Sequence, residues 1–133
     1  MILVDTNVLL DVLSGDAQWS DWSRTHLEAC AARDRLCINP VIYAELSVGY
    51  GRIEEVENVV SAAGLAIAEI PRPALFLAGK VFRAYRANRG AKTGVLPDFF
   101  IGAHAALEGA PLLTRDATRY RTYFPSLRLV APA

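Results

Sequence analysis

Five short apolar runs, at residues 2–4, 35–38, 65–70, 111–114 and 127–130, are separated by stretches whose apolar residues recur at three- and four-residue steps. The short runs read as strands and the periodic stretches as amphipathic helices. Strands alternating with helices from one end of a chain to the other leave few folds open. They predict a three-layer α/β/α domain around a parallel sheet of about five strands. Ile2-Leu3-Val4 is apolar without alternation, which predicts a central strand covered on both faces. Val8, Leu9, Val12 and Leu13 continue as a helix that Gly15 ends, and Trp19, Trp22, His26, Leu27 and Cys30 mark a second helix. Asn39-Pro40 opens a third, carrying Val41, Ala44, Glu45 and Val48 and breaking near Gly49. Further helices are predicted over 52–63, over 74–88 with Ala78, Phe82 and Tyr85 inward, and over 97–107 up to Gly109. A polar loop is expected over 90–94, and no repeat or internal boundary interrupts residues 1–133, which read as one domain.

In parallel sheets of this kind, ligands bind beyond the carboxyl ends of the strands. Acidic residues stand at that kind of position four times. Asp5 follows Ile2-Leu3-Val4, and Asp116 follows Leu112-Leu113-Thr114-Arg115. Glu45 and Asp98 sit in helices that each follow a connecting segment, Asp98 directly behind Pro97 and ahead of Phe99 and Phe100. Each acid has a structural alternative: Asp5 as a helix cap, Glu45 on a solvated edge, Asp98 complementing a helix dipole, Asp116 in a turn. Ionised carboxylates repel at close range, so a cluster of four needs a compensating charge. A hard divalent cation such as Mg²⁺ or Mn²⁺ supplies it through oxygen ligands. If the four converge, the chain is a metal-dependent phosphoryl-transfer enzyme.

Val4-Asp5-Thr6-Asn7, Tyr43-Ala44-Glu45-Leu46, Leu96-Pro97-Asp98 with Ile101-Gly102-Ala103, and Leu113-Thr114-Arg115-Asp116 resemble, in order and spacing, the PIN-domain ribonucleases. At this size the resemblance is greatest to the VapC-type toxins of toxin–antitoxin pairs. It implies an acidic pocket for Mg²⁺ or Mn²⁺ and endonucleolytic cleavage of RNA to 5′-phosphate and 3′-hydroxyl ends. It also implies a homodimer and a cognate antitoxin that blocks the pocket. Asp5, Glu45, Asp98 and Asp116 match the acidic positions, and Asn7 and Thr114 the accompanying polar ones. On this reading Asp5, Asp98 and Asp116 hold the metal, with Glu45 a ligand or held through water. The alternatives are a PIN-fold nuclease acting on other nucleic acid, a phosphatase, and a module that binds RNA or a partner without cleaving. A phosphatase of the haloacid dehalogenase type would want a second Asp where Asn7 stands.

Fourteen basic and fourteen acidic residues give zero formal charge, which does not advertise a nucleic-acid binder. With four acids taken up by a cation, ten remain against the fourteen bases, and the rest of the surface carries +4. Lys80, Arg83, Arg86 and Arg89, followed by Lys92, form a basic stripe. A three-residue step falls ~60° short of a full helical turn, so the stripe winds round its helix. It is either a solvated surface or a phosphate track for RNA, and Arg115 beside Asp116 is a further candidate for phosphate contact or antitoxin pairing. Trp19, Trp22, Tyr43 and Tyr50 belong either to the core or to a groove for a partner helix.

Other chemistries lack their residues. His26 and His104 are the only histidines and read as structural or solvated, and Cys30 and Cys37 match no zinc or disulfide spacing. No nucleophile elbow, Walker loop or G-x-G-x-x-G is present. With 53% hydrophobic and 21% charged residues, disorder is excluded. No basic leader precedes an apolar segment, and no apolar run approaches the ~20 residues of a membrane span, so a soluble cytoplasmic protein is expected.

Overall fold

The computed structural model describes residues 1–88 and 95–133. The loop expected over 90–94, with Arg89 and Lys92 of the basic stripe, lies outside them. Five parallel strands form one sheet in the order β3-β2-β1-β4-β5. They are β1 (Ile2–Val4), β2 (Leu36–Ile38), β3 (Ala66–Ile67), β4 (Leu112–Leu113) and β5 (Leu129–Val130). The central position expected for the first strand is realised: β1 pairs with β2 through Ile2–Leu36 and with β4 through Val4–Leu113. All three of its residues are buried, as an apolar run without alternation requires.

Among the described residues, the connecting helices are α1 (Thr6–Ser14), α2 (Ser20–Arg33), α3 (Pro40–Ser47), α4 (Ile53–Ala62), α5 (Arg72–Ala87), α6 (Leu96–Glu108) and α7 (Thr118–Tyr123). They flank the sheet, giving the α/β/α layering that the alternating pattern predicts. Gly15 closes α1 with φ 64°, a left-handed conformation that costs a glycine nothing. Asn39 caps α3, its Oδ1 accepting from the Ile42 amide at 2.9 Å. Its amide nitrogen lies 3.1 Å from Nδ1 of the buried His104. Burial lowers the His104 pKa, so the ring is a neutral structural acceptor.

Three local expectations needed correction. β3 is shorter than the run over 65–70, because this edge strand gives way to Pro71. α3 buries Ile42 and Leu46, whereas Val48 is 87% exposed. The face carrying Glu45 is therefore only partly covered. α7 was not anticipated at all. Ala117, Tyr120 and Phe124 are buried at helical steps along it, within a polar segment.

α6 lies against α7 closely. A Cβ built on Gly102 would come within 2.5 Å of the Phe124 ring, whose residue is 4% exposed. Glycine at 102 lets the aromatic ring lie on the α6 backbone. That contact fixes where α7 sits, and α7 carries Arg119, Tyr120 and Tyr123 of the site.

Candidate active site

Parallel strands point the same way, so residues that follow them collect at one edge of the sheet. Asp5 leaves β1 with its backbone N–H on the Leu113 carbonyl at 2.9 Å, which sets it beside the end of β4. The four acids expected to converge border the same cavity. Asp5, Glu45, Asp98 and Asp116 line one open cavity of about 640 Å³, together with Thr6, Asn7, Leu10, Val48, Arg119, Tyr120 and Tyr123 among others. Thr114 stands behind Asp5, and Arg115 lies outside the cavity lining.

The acids are held differently. Asp5 is 5% exposed. Its Oδ1 accepts from the Thr6 amide at 2.8 Å, capping α1. Its Oδ2 accepts from the Thr114 hydroxyl and the Tyr120 hydroxyl, both at 2.9 Å, and from the Asn7 amide at 3.4 Å. Asn7 also donates to Thr114 at 3.2 Å. Both Asn7 and Thr114, picked out by sequence, thus serve to fix Asp5. Glu45 is half-buried and accepts from the Thr6 hydroxyl at 2.7 Å. Asp98, in the first turn of α6, is ion-paired through Oδ2 to the Arg119 guanidinium. Asp116 is exposed at the rim, between β4 and α7.

Burial pushes the Asp5 carboxyl up to about 6, against the pull of Thr114, with the charge of Asp98 adding to the rise. Burial also raises Glu45, opposed by the Thr6 hydroxyl and helped by Asp98. Asp98 is raised by burial, drawn back by Arg119, and raised again by Asp116. Tyr120 is pushed well above its ordinary value by burial first, then by Asp5, Asp98 and Glu45. These groups lie within electrostatic reach of one another, and in each the rise comes first from burial, with a neighbouring carboxylate adding to it.

The donors fit a hard cation: four carboxylates line the cavity, and no His or Cys does. Among the described residues, no three Asp, Glu, His or Cys side chains are gathered into a ready-made metal cage. Thr6, Thr114, Tyr120 and Arg119 each hold a carboxylate where it stands.

Arg115 is turned away from the cavity. Its Nε donates to the buried Asp11 at 2.7 Å, Ser23 donates to the same oxygen at 2.9 Å, and the guanidinium lies 5.6 Å over the Trp19 ring. Lys80, Arg83 and Arg86 are exposed on α5 and do not line the cavity. Lys80 sits 4.9 Å over Phe76, and Arg86 5.9 Å over Phe82. Trp19 and Trp22 meet edge to face at 6.2 Å on the half-buried side of α2, and Tyr43 donates to Glu57 at 2.7 Å. Sequence reasoning missed Thr6 as the holder of Glu45, Asp11 as a buried partner, and both Arg119 and Tyr120. The buried steps at 117, 120 and 124 were the signal for the last two.

A parallel α/β sheet whose strand ends open onto a cavity with four carboxylates defines a class of folds rather than one protein. Within that class the chain belongs to the PIN domain family, whose profile matches residues 2–125. The fold is similar to that of VapBC2 from Rickettsia felis bound to a DNA fragment from its promoter, with TM-score 0.76 and 20% identity, covering 100% of both chains. It is also similar to a toxin–antitoxin complex from Klebsiella pneumoniae, with TM-score 0.71 and 25% identity over 100% of this chain and 98% of that one. VapBC-1 from nontypeable Haemophilus influenzae gives TM-score 0.71 at 18% identity, covering 98% of each chain. A search of curated protein sequences finds no match. Among the described residues, no helix is long and apolar enough to cross a membrane.

Proposed function

We propose that this chain is a Mg²⁺- or Mn²⁺-dependent endoribonuclease, the toxin of a toxin–antitoxin pair, acting in the cytoplasm as one nuclease domain. The observation that carries this reading is the convergence of Asp5, Glu45, Asp98 and Asp116 on a single open cavity. Membership of the PIN family supports nuclease chemistry, and the likeness to chains of toxin–antitoxin complexes supports an antitoxin partner. A homodimer is implied by the resemblance of the four acidic motifs to those of PIN-domain toxins.

Asp5, Asp98 and Asp116 would hold the cation, with Glu45 as a further ligand or acting through water. When bound, the ion supplies a polarised phosphodiester, an activated water and a stabilised leaving oxygen. The protein's part is positioning. Three donors occupy Asp5 Oδ2, whereas Oδ1 carries the Thr6 amide bond, so Oδ1 keeps the greater lone-pair capacity for a ligand. The Thr6 hydroxyl aims Glu45 into the same space. Leu10, Val48 and Tyr123 give the cavity apolar walls, suited to the bases of a single-stranded substrate. Leu10 and Val48 are exposed as well as bordering the cavity, and this apolar surface suits the antitoxin.

The test is incubation of purified protein with RNA, with Mn²⁺ and with chelator. Cleavage should need the cation, and Asp98→Asn should abolish it while circular dichroism stays unchanged. Full activity in Asp98→Asn would remove Asp98 from the mechanism.

A further inference from the structure

Among the described residues lining the cavity, Arg119 is the one cation. It shares that space with four carboxylates, and its guanidinium pairs with Asp98. The pair is open to solvent, with side-chain exposures of 28% for Arg119 and 31% for Asp98. Arg115 offers the contrast four positions earlier. Its partner Asp11 is 4% exposed and is also bonded to Ser23, so that arginine is locked. An ion pair as open as Arg119–Asp98 is weakly held and exchangeable.

Asp98 cannot give the same oxygen fully to a guanidinium and to a divalent ion. A cation taking Asp98 would draw off its negative charge and loosen its hold on Arg119 without removing the arginine from the cavity, because Tyr120 and Phe124 are buried at α7. A freed guanidinium presents a planar fork of donors that matches phosphate oxygens. We propose that Arg119 serves two anions in turn: it is the counter-ion of Asp98 in the cation-free protein, and it passes to the substrate's phosphate once a divalent ion has taken Asp98. The second half rests on the nuclease reading above; the first does not.

Mn²⁺ affinity, read by calorimetry, and RNA cleavage at saturating Mn²⁺ are measured for wild type, Arg119→Ala and Arg119→Lys, with melting curves to verify folding. Arg119→Ala should bind Mn²⁺ several-fold more tightly, because its competitor is gone, yet cleave about 100-fold more slowly. Arg119→Lys should recover part of the rate, and so should free guanidinium added to Arg119→Ala. Unchanged or weaker Mn²⁺ binding in Arg119→Ala overturns the counter-ion role, and an undiminished rate overturns the phosphate role. Wild-type protein that cuts no RNA in any condition overturns the nuclease reading and the phosphate role with it. The Mn²⁺ titration still decides the tie between Arg119 and Asp98.

Discussion

The two sides of the cavity hold negative charge by opposite means. On the sheet side, Asp5 is buried and fixed by neutral donors from positions 6, 7, 114 and 120. On the α6–α7 side, Asp98 is part-exposed and held by a charged arginine, with Asp116 exposed beside it. Neutral hydrogen bonds set direction without cancelling charge, so the sheet side keeps its electrostatic strain. The arginine relieves charge but can leave. The wall that defines the geometry is thus separate from the rim that adjusts to what binds.

The largest expected effect breaks the sheet side. Asp5→Asn should cut RNA cleavage by about 1,000-fold or more, since a cation ligand is lost. Its metal-free melting temperature at pH 8 should stay level or rise, because a buried charge is removed. A collapse in stability would mean that Asp5 is chiefly structural.

Next comes pH. The fold favours the protonated form of Asp5, whose pKa rises from 3.8 to about 6. Its contribution is therefore fully present below pH 3.8 and is lost as pH climbs through about 6. Two pKa steps correspond to about 3 kcal/mol. Denaturant titrations in chelator should show stability falling over that window, and Mn²⁺ at pH 7.5 should restore it. A flat profile would place Asp5 outside the strained set.

A smaller effect sharpens the rim. Gly102→Ala should cost about 2 kcal/mol, because the added methyl meets the Phe124 ring and shifts α7. Mn²⁺ affinity should change with it, as Arg119 and Tyr120 move. The smallest effect lies beyond both walls. Arg83→Ala with Arg86→Ala should weaken RNA binding a few-fold and reduce the salt slope by about 1.4 for a single strand. Unchanged binding would make the stripe on α5 a solvated surface.

The contrast also marks what could be read in advance. Strand ends announce themselves, because Ile2-Leu3-Val4 and Leu112-Leu113 must be buried and the polar residues behind them must emerge together. Asp5, Thr114 and Asp116 were legible for that reason. α7 was not, because a six-residue helix has too few turns for its period to stand out. Arg115 and Arg119 look alike in sequence, and only the fold assigns one to Asp11 and the other to Asp98. Val48 was expected within the third helix because its apolar side chain falls in helical step, yet α3 ends at Ser47 and Val48 is exposed beside the cavity.

The place of β4 in the sheet has a consequence for synthesis. β4 flanks the central strand, and the segment behind it brings Thr114, Asp116, Arg119 and Tyr120. A nascent chain still holding that segment inside the ribosome has Asp5 without two of its donors and the cavity without one wall. If the finished protein cuts RNA, that activity waits until the segment through Tyr120 has joined Asp5.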